Sequence, residues 1–465
     1  MDIALVNTNR MKPPIAPIGL DYLAEALNAA EHYVEVLDLC WEEDCDSAIE
    51  SFFNKKEFDL VGITLRNTDD CAYTSRQSFI DDFAGIVDKI RKNTDGLLII
   101  GGVGFSVMPD RILRFCEADI GIWGDGEFVF LDLIKRLEGK WEWHDLPNLI
   151  YKRDNRYYRT PASLPLLKKL PPMSRDWIDN LRYFQEGGQA GIETKRGCPC
   201  SCIYCADPVA KGNKVRTRPP EAVVDEMERL LNKGIDHIHT CDSEFNLPNN
   251  HAAKICKEII KRRLGDRLRW YSYCSPVPFS KGLAGLMKQA GCVGINFGVD
   301  SGDEMMLKRL CRDFTPEDIL RTVHFCKDAG LSVMLDLLIG APGETKESII
   351  NTIEFTMRSR ADRIGIAAGV RVYPGTQLSS IMAQAELKDG CAGGHDPLEP
   401  LFFLEPEVAP FVFDLLDDYI GDDQRFLFFD PSRPDRNYNY NANELLTEAI
   451  KKGYRGAYWD ILFRL

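Results

Sequence analysis

The sequence predicts two α/β domains in series, a flavodoxin- or Rossmann-like parallel sheet followed by a partial (β/α)6 barrel, with a small C-terminal extension. Three observations lead there. Short apolar runs alternate strictly with segments of helical periodicity over residues 1–140. The same alternation resumes after a proline-rich interruption, and 465 residues exceed what one hydrophobic core ordinarily organises.

In the first domain (1–140) the strand-like runs are 2–7, 33–39, 60–65, 97–101 and 118–123, separated by helix-like 18–30, 46–54, 76–92, 107–116 and 127–138. Such alternation builds right-handed βαβ units, and ligands of such sheets bind beyond the carboxyl ends of the strands. The candidate loops therefore begin at Asn7, at Arg66 and Asn67, at Gly101, Gly102 and Gly104, and at Gly124 with Glu127. Glycines after the fourth strand fit either a ligand lying against the backbone or a tight strand-to-helix turn. No glycine fingerprint follows the first strand, which argues against a nicotinamide dinucleotide.

Residues 141–188 read as a linker. They hold a small hairpin over 149–159 and then Pro161, Pro165, Pro171 and Pro172, whose preset backbone predicts an extended tether.

The second domain (189–378) opens on a strand and then Cys198-Pro199-Cys200-Ser201-Cys202-Ile203-Tyr204-Cys205. Thiolates at Cys198, Cys202 and Cys205 suit an iron–sulfur cluster, and three ligands in one loop leave one iron open to another molecule. A zinc site would need a fourth ligand, which Cys200 could supply, but its spacing from Cys198 is too short for the common zinc knuckle and no second pair follows. Further strands are expected at 236–241, 268–274, 293–299, 332–339 and 363–372, giving six βα units whose carboxyl ends would surround one cavity. The seven histidines, among them His237, His239, His251 and His324, form no metal pattern and read as structural. The extension (379–465), with its proline- and phenylalanine-rich start and its Asn437-Tyr438-Asn439-Tyr440 run, reads as packing against the barrel.

A net charge of −14 without a basic stripe argues against nucleic acid as substrate. No apolar run approaches the roughly 18 residues of a membrane span. The chain begins Met1-Asp2-Ile3 without a basic leader, and fifteen cysteines without a disulfide framework suit the reducing cytoplasm.

The cysteine motif resembles that of the radical S-adenosylmethionine (SAM) superfamily. Pro17-Ile18-Gly19-Leu20-Asp21, Asp59-Leu60-Val61-Gly62-Ile63, Gly101-Gly102 and Gly124-Asp125-Gly126-Glu127, in that order, resemble the cobalamin-binding domain that precedes many such enzymes. The resemblance implies a 4Fe-4S cluster on Cys198, Cys202 and Cys205, with SAM contacted by Tyr204, Ser243, Glu244, Asp300, Ser301, Gly340 and Arg371. Asp300 stands where the family commonly has glutamate. It implies cobalamin held by the carboxyl-edge loops of the first domain, without a histidine from that domain on cobalt. The implied reaction is cleavage of SAM to a 5′-deoxyadenosyl radical and methylation of an unreactive carbon of a small-molecule or lipid substrate, with electrons from flavodoxin or ferredoxin. Cyclisation or rearrangement, methylthiotransfer and a non-catalytic cobalamin or iron–sulfur binding role are the alternatives. Substrate and oligomeric state are not legible.

Protein prepared without oxygen is expected to hold about four irons per chain and to lose them in Cys198→Ala, Cys202→Ala or Cys205→Ala, whereas Cys200→Ala keeps them. Iron analysis of the four variants checks this.

Overall fold

Strand β1 (Asp2–Asn7) is buried from Ile3 onward, as a strand covered by helices on both faces must be. The computed structural model describes residues 1–385, 389–441 and 443–465. In it β1 pairs in parallel with β2 (Tyr33–Asp38) and β3 (Leu60–Thr64), and β4 (Leu97–Gly101) and β5 (Ile120–Ile122) continue the sheet in the order 2-1-3-4-5. Chain order reverses between β1 and β3, so the crevice at their carboxyl ends is where a ligand is expected.

The hairpin expected in the linker belongs to this sheet. β6 (Leu149–Arg153) runs antiparallel along β5, and β7 (Arg156–Arg159) along β6, with Leu149 and Ile150 fully buried. No further crossover helix covers the open edge of β5, and an antiparallel hairpin is the shortest cover.

The second sheet has seven strands. β8 (Ala190–Ile192) leads into the cysteine loop, which is bracketed by the short ladder of β9 (Lys195–Arg196) and β10 (Arg216–Thr217). β11 (His237–Thr240), β12 (Arg269–Cys274), β13 (Cys292–Asp300), β14 (Ser332–Ile339) and β15 (Arg363–Ala368) follow β8 in parallel and in chain order. The sixth expected strand, 363–372, is split. Its end, β16 (Val370–Arg371), leaves the barrel and joins β17 (Cys391–Ala392) and β18 (Phe402–Phe403) in a separate antiparallel sheet. The extension then returns β19 (Phe426–Phe428) to the free side of β15, so it completes the barrel wall as well as packing on it. Among the described residues, no helix is long and apolar enough to cross a membrane.

Buried arginines fasten the two sheets to each other. Arg175, in the linker, is fully buried and donates to Asp21 of the first domain at 2.8 Å and to Glu226 of the second at 2.7 Å. Arg218 reaches the other oxygen of Glu226 at 2.7 Å and the Tyr22 hydroxyl at 2.9 Å. Burial opposes ionisation of Glu226, but Arg218 and Arg175 outweigh it, and the carboxyl sits below its ordinary range. At the opposite side Arg371 grips Asp69 through Nε and Nη2 at 2.9 and 2.7 Å.

Removing one partner from a buried pair leaves the other uncompensated, at a cost of about 3–5 kcal/mol. Arg175→Met is therefore expected to lower the thermal unfolding midpoint, measured by circular dichroism, whereas Arg182→Met, whose Glu186 pair is exposed, leaves it nearly unchanged.

Candidate active site

A cavity of about 750 Å³ lies between the carboxyl edge of the first sheet and the mouth of the barrel. Asn7, Thr64, Arg66, Asn67, Gly101, Gly102, Gly124 and Glu127 line it from the first domain. Glu193, Arg196, Lys211, His239, Ser243, Tyr273 and Asn296 line it from the barrel, and Phe429, Tyr438, Tyr440, Tyr458 and Trp459 from the extension.

All but one of the residues assigned to cobalamin thus meet at one wall. Gly104 is the exception and sits behind, against the backbone of Arg66 and Asn67. Gly102 holds φ at +103°, and a Cβ there would run into the Leu65 carbonyl and the Thr64 hydroxyl, so the turn itself requires glycine. Asn7 is fully buried, its amide donating to Asp38 at 2.7 Å and to the Tyr183 hydroxyl at 3.0 Å, which fixes the start of the first loop. Glu127 takes Arg196 bidentately, at 2.9 and 2.6 Å, and Asp125 pairs with Arg196 and Arg216. Arg196 immediately precedes the cysteine loop, so the first domain holds the base of that loop.

The loop is held at several points. Asp242, just after β11, accepts the backbone N–H groups of Thr194 and Lys195 at 2.9 and 3.1 Å. Gly197 has φ of +86°, and a Cβ would collide with the Lys214 carbonyl. The Cys198 N–H donates to Gly212 at 3.2 Å, and Ile203 bonds to Leu310 and Leu378. A hydrogen bond from Cys200 draws the Cys198 thiol below its ordinary range, while burial raises Cys202 and Cys205. Arg312 donates to Cys202 Sγ at 2.7 Å and pairs with Asp300 at 3.3 Å. Glu244 lies 4.0 Å from Arg312, has one buried oxygen without a partner, and is pushed by burial up to about 8. An unpartnered carboxylate oxygen beside the thiols suits a cation, either iron or the SAM ammonium.

The residues assigned to SAM are less closely grouped, and only Ser243, bonded to Asp207, lines the cavity. The Tyr204 hydroxyl donates to Asp300 at 2.7 Å, so Asp300 is engaged by Tyr204 and Arg312. The Ser301 hydroxyl faces Thr352 on the outer helix at 2.8 Å. The Gly340 N–H donates to Glu344 at 3.3 Å, and Arg371 is committed to Asp69 and to the carbonyls of Val372 and Leu401. Unforeseen from the sequence were Tyr273, Asn296 and the aromatic side chains of the extension. His239, read as structural, lines the cavity. Burial holds its ring near 4 and neutral, with Nδ1 2.8 Å from the Thr240 carbonyl.

Residues 5–134 match the B12-binding domain and residues 192–356 the radical SAM superfamily. Tryptophan 2-C-methyltransferase from Streptomyces laurentii is 30% identical over 98% of this chain and 95% of its own. The chain belongs to the cobalamin-dependent radical SAM methyltransferases. The structure of the methyltransferase TsrM from Kitasatospora setae, with tryptophan and a SAM analogue bound, superposes with a TM-score of 0.89 at 29% identity, covering 99% of this chain and 97% of that one. TsrM has also been solved with cobalamin and a 4Fe-4S cluster. OxsB, a cobalamin-dependent SAM radical enzyme, shares the fold at 17% identity and a TM-score of 0.75 over 91% of this chain and 66% of its own. The enzyme uses cobalamin, a 4Fe-4S cluster and SAM. Its residues fit these groups: soft thiols in one loop, and a carboxyl-edge crevice whose mostly apolar lining carries Asn7, Arg66, Asn67 and Glu127.

Gly102→Val is expected to lose bound corrinoid while retaining iron, because it distorts the crevice turn and leaves the cysteine loop untouched. Corrinoid extraction and iron analysis of the same preparation check it.

Proposed function

We propose that the enzyme moves a methyl group from SAM, by way of cobalamin, to a ring carbon of tryptophan or a closely similar aromatic amine. The supporting observation is the cavity wall. Tyr273, Phe429, Tyr440, Tyr458 and Trp459 enclose space open to the cobalamin crevice, and flat aromatic ligands stack on such rings at centroid separations of about 4.5–7 Å.

When bound, cobalamin supplies a methyl carrier and the cluster an electron source and anchor for SAM. Cys198, Cys202 and Cys205 hold the cluster in this proposal, with Cys200 as a hydrogen-bonding neighbour that stays off the metal. Glu244 and Ser243 bind SAM beside it. Arg66, Asn67, Gly101, Gly102, Gly124 and Glu127 hold the corrin. Asp300, with Tyr204 and Arg312, positions the cysteine loop, and Arg371 positions the domains. The aromatic lining excludes water from the acceptor carbon, which keeps a reactive methyl from being lost to solvent. The domains carrying these roles are 1–140, widened by the hairpin over 149–159, and 189–378, with the extension over 379–465 supplying most of the aromatic wall. The substrate is a small molecule rather than nucleic acid, in keeping with the net charge of −14. Fifteen cysteines without a disulfide framework suit the cytoplasm, where flavodoxin or ferredoxin would supply electrons.

Reduced holoenzyme with SAM and L-tryptophan is expected to yield S-adenosylhomocysteine and methyltryptophan, read by mass spectrometry. Rise of 5′-deoxyadenosine in step with product marks the radical step that the cysteine motif implies. Consumption of SAM without methylated indole defeats the proposal.

A further inference from the structure

The asparagine-tyrosine run near the C-terminus is a motif that the cofactor sites leave unexplained. Its side chains alternate. Asn437, Asn439, Asn441 and Asn443 are buried. Asn437 Oδ1 accepts the N–H of Asn439 at 2.7 Å, and Asn439 Oδ1 accepts that of Asn441 at 2.9 Å. The amides of Asn439 and Asn441 both donate to the Asp70 carbonyl at 3.2 Å, and that of Asn443 to the carbonyls of Asn437 and Asn439. This ladder fixes the strap against the first domain and leaves Tyr438 and Tyr440 on the cavity wall.

Asp336, on β14, sits behind that wall. It accepts the Tyr438 hydroxyl on Oδ1 at 3.1 Å and the Asn296 amide on Oδ2 at 2.7 Å. A carboxylate is acceptor only, so Tyr438 spends its one hydroxyl donor on it and Asn296 one of its two amide donors. Asn296 Oδ1 is buried and without a partner, and Asn296 and Tyr438 both line the cavity. The Tyr273 hydroxyl lies near Asn296 without bonding to that Oδ1. Burial pushes the Asp336 carboxyl up to about 6, and the hydrogen bonds from Asn296 and Tyr438 oppose that rise. A buried acceptor without a donor is costly, and a ligand that brings one relieves it.

We propose that Asp336 is a positioning residue that presents Asn296 Oδ1 and Tyr438 Oη to the cavity as a pair of acceptors, so that the enzyme selects a flat aromatic ligand bearing a ring N–H. The inference rests on the aromatic-substrate reading above and adds the atoms that discriminate within it. Its test is calorimetric titration of the reconstituted holoenzyme with L-tryptophan and with 3-(3-benzothienyl)alanine, in which sulfur replaces the ring N–H. Wild-type enzyme is expected to prefer tryptophan by about tenfold or more, and Asp336→Asn and Tyr438→Phe to reduce the preference to about twofold or less with the analogue's affinity unchanged. Tyr438→Phe keeps the ring, and iron and corrinoid content report that each variant is folded. Retention of the preference by either variant, or its absence in the wild type, overturns the inference and leaves the aromatic reading standing. Failure of the wild type to bind either compound overturns both.

Discussion

Two carboxyl edges must be held face to face for this enzyme to have an interior, and buried guanidinium–carboxylate pairs hold them. A guanidinium carries donors in a fixed plane, so Arg196 with Glu127 and Arg371 with Asp69 fix orientation as well as distance, which an apolar contact alone would leave free to slide. Desolvation makes such pairs costly unless every partner is supplied. Around Arg175 the supply is complete: Asp21, Glu226, Asn180 and the Gly191 carbonyl all accept from it. The linker is therefore a keystone between the domains rather than a tether.

The same pairs shape the chemistry. Arg196 ends β9, one residue before the turn at Gly197, so the latch between domains also fastens the start of the cysteine loop. Asp242 fastens the loop from the barrel side. Between these anchors the cavity has a largely apolar wall, set with a few polar groups, toward the crevice and an aromatic wall toward the extension. Such a lining suits a reaction at a carbon kept dry.

The chain's local patterns foretold much of this. Every strand expected in the first domain is present within a few residues, because burial on both faces forces continuous apolar runs at β1, β3, β4 and β5, while the edge strand β2 keeps enough alternating apolar residues to show. The cysteine motif was legible because its three thiols and the turns between them lie within eight residues. The loop residues Arg66, Gly101 and Gly124 were legible because in a doubly wound sheet the carboxyl ends of neighbouring strands converge. Asp300 and Ser301 stand at the end of a barrel strand as expected, whereas Arg371, expected on the sixth barrel strand, lies on β16 outside the barrel; the side-chain partners of the three, Arg312, Thr352 and Asp69, come from elsewhere in the chain.

Sequence by itself determined the two sheets, the cluster loop and the edge where ligands collect, since each follows from periodicity or spacing over a few residues. Tertiary structure alone decided which side chains face the cavity. Asp69 and Arg371 are 302 positions apart and Asp336 and Tyr438 are 102 apart, and no local pattern records such a pairing. The extension shows this most clearly. The sequence reads it as packing against the barrel, but only contact with Asp70 and Asp336 assigns the asparagines to the backbone and the tyrosines to the cavity wall.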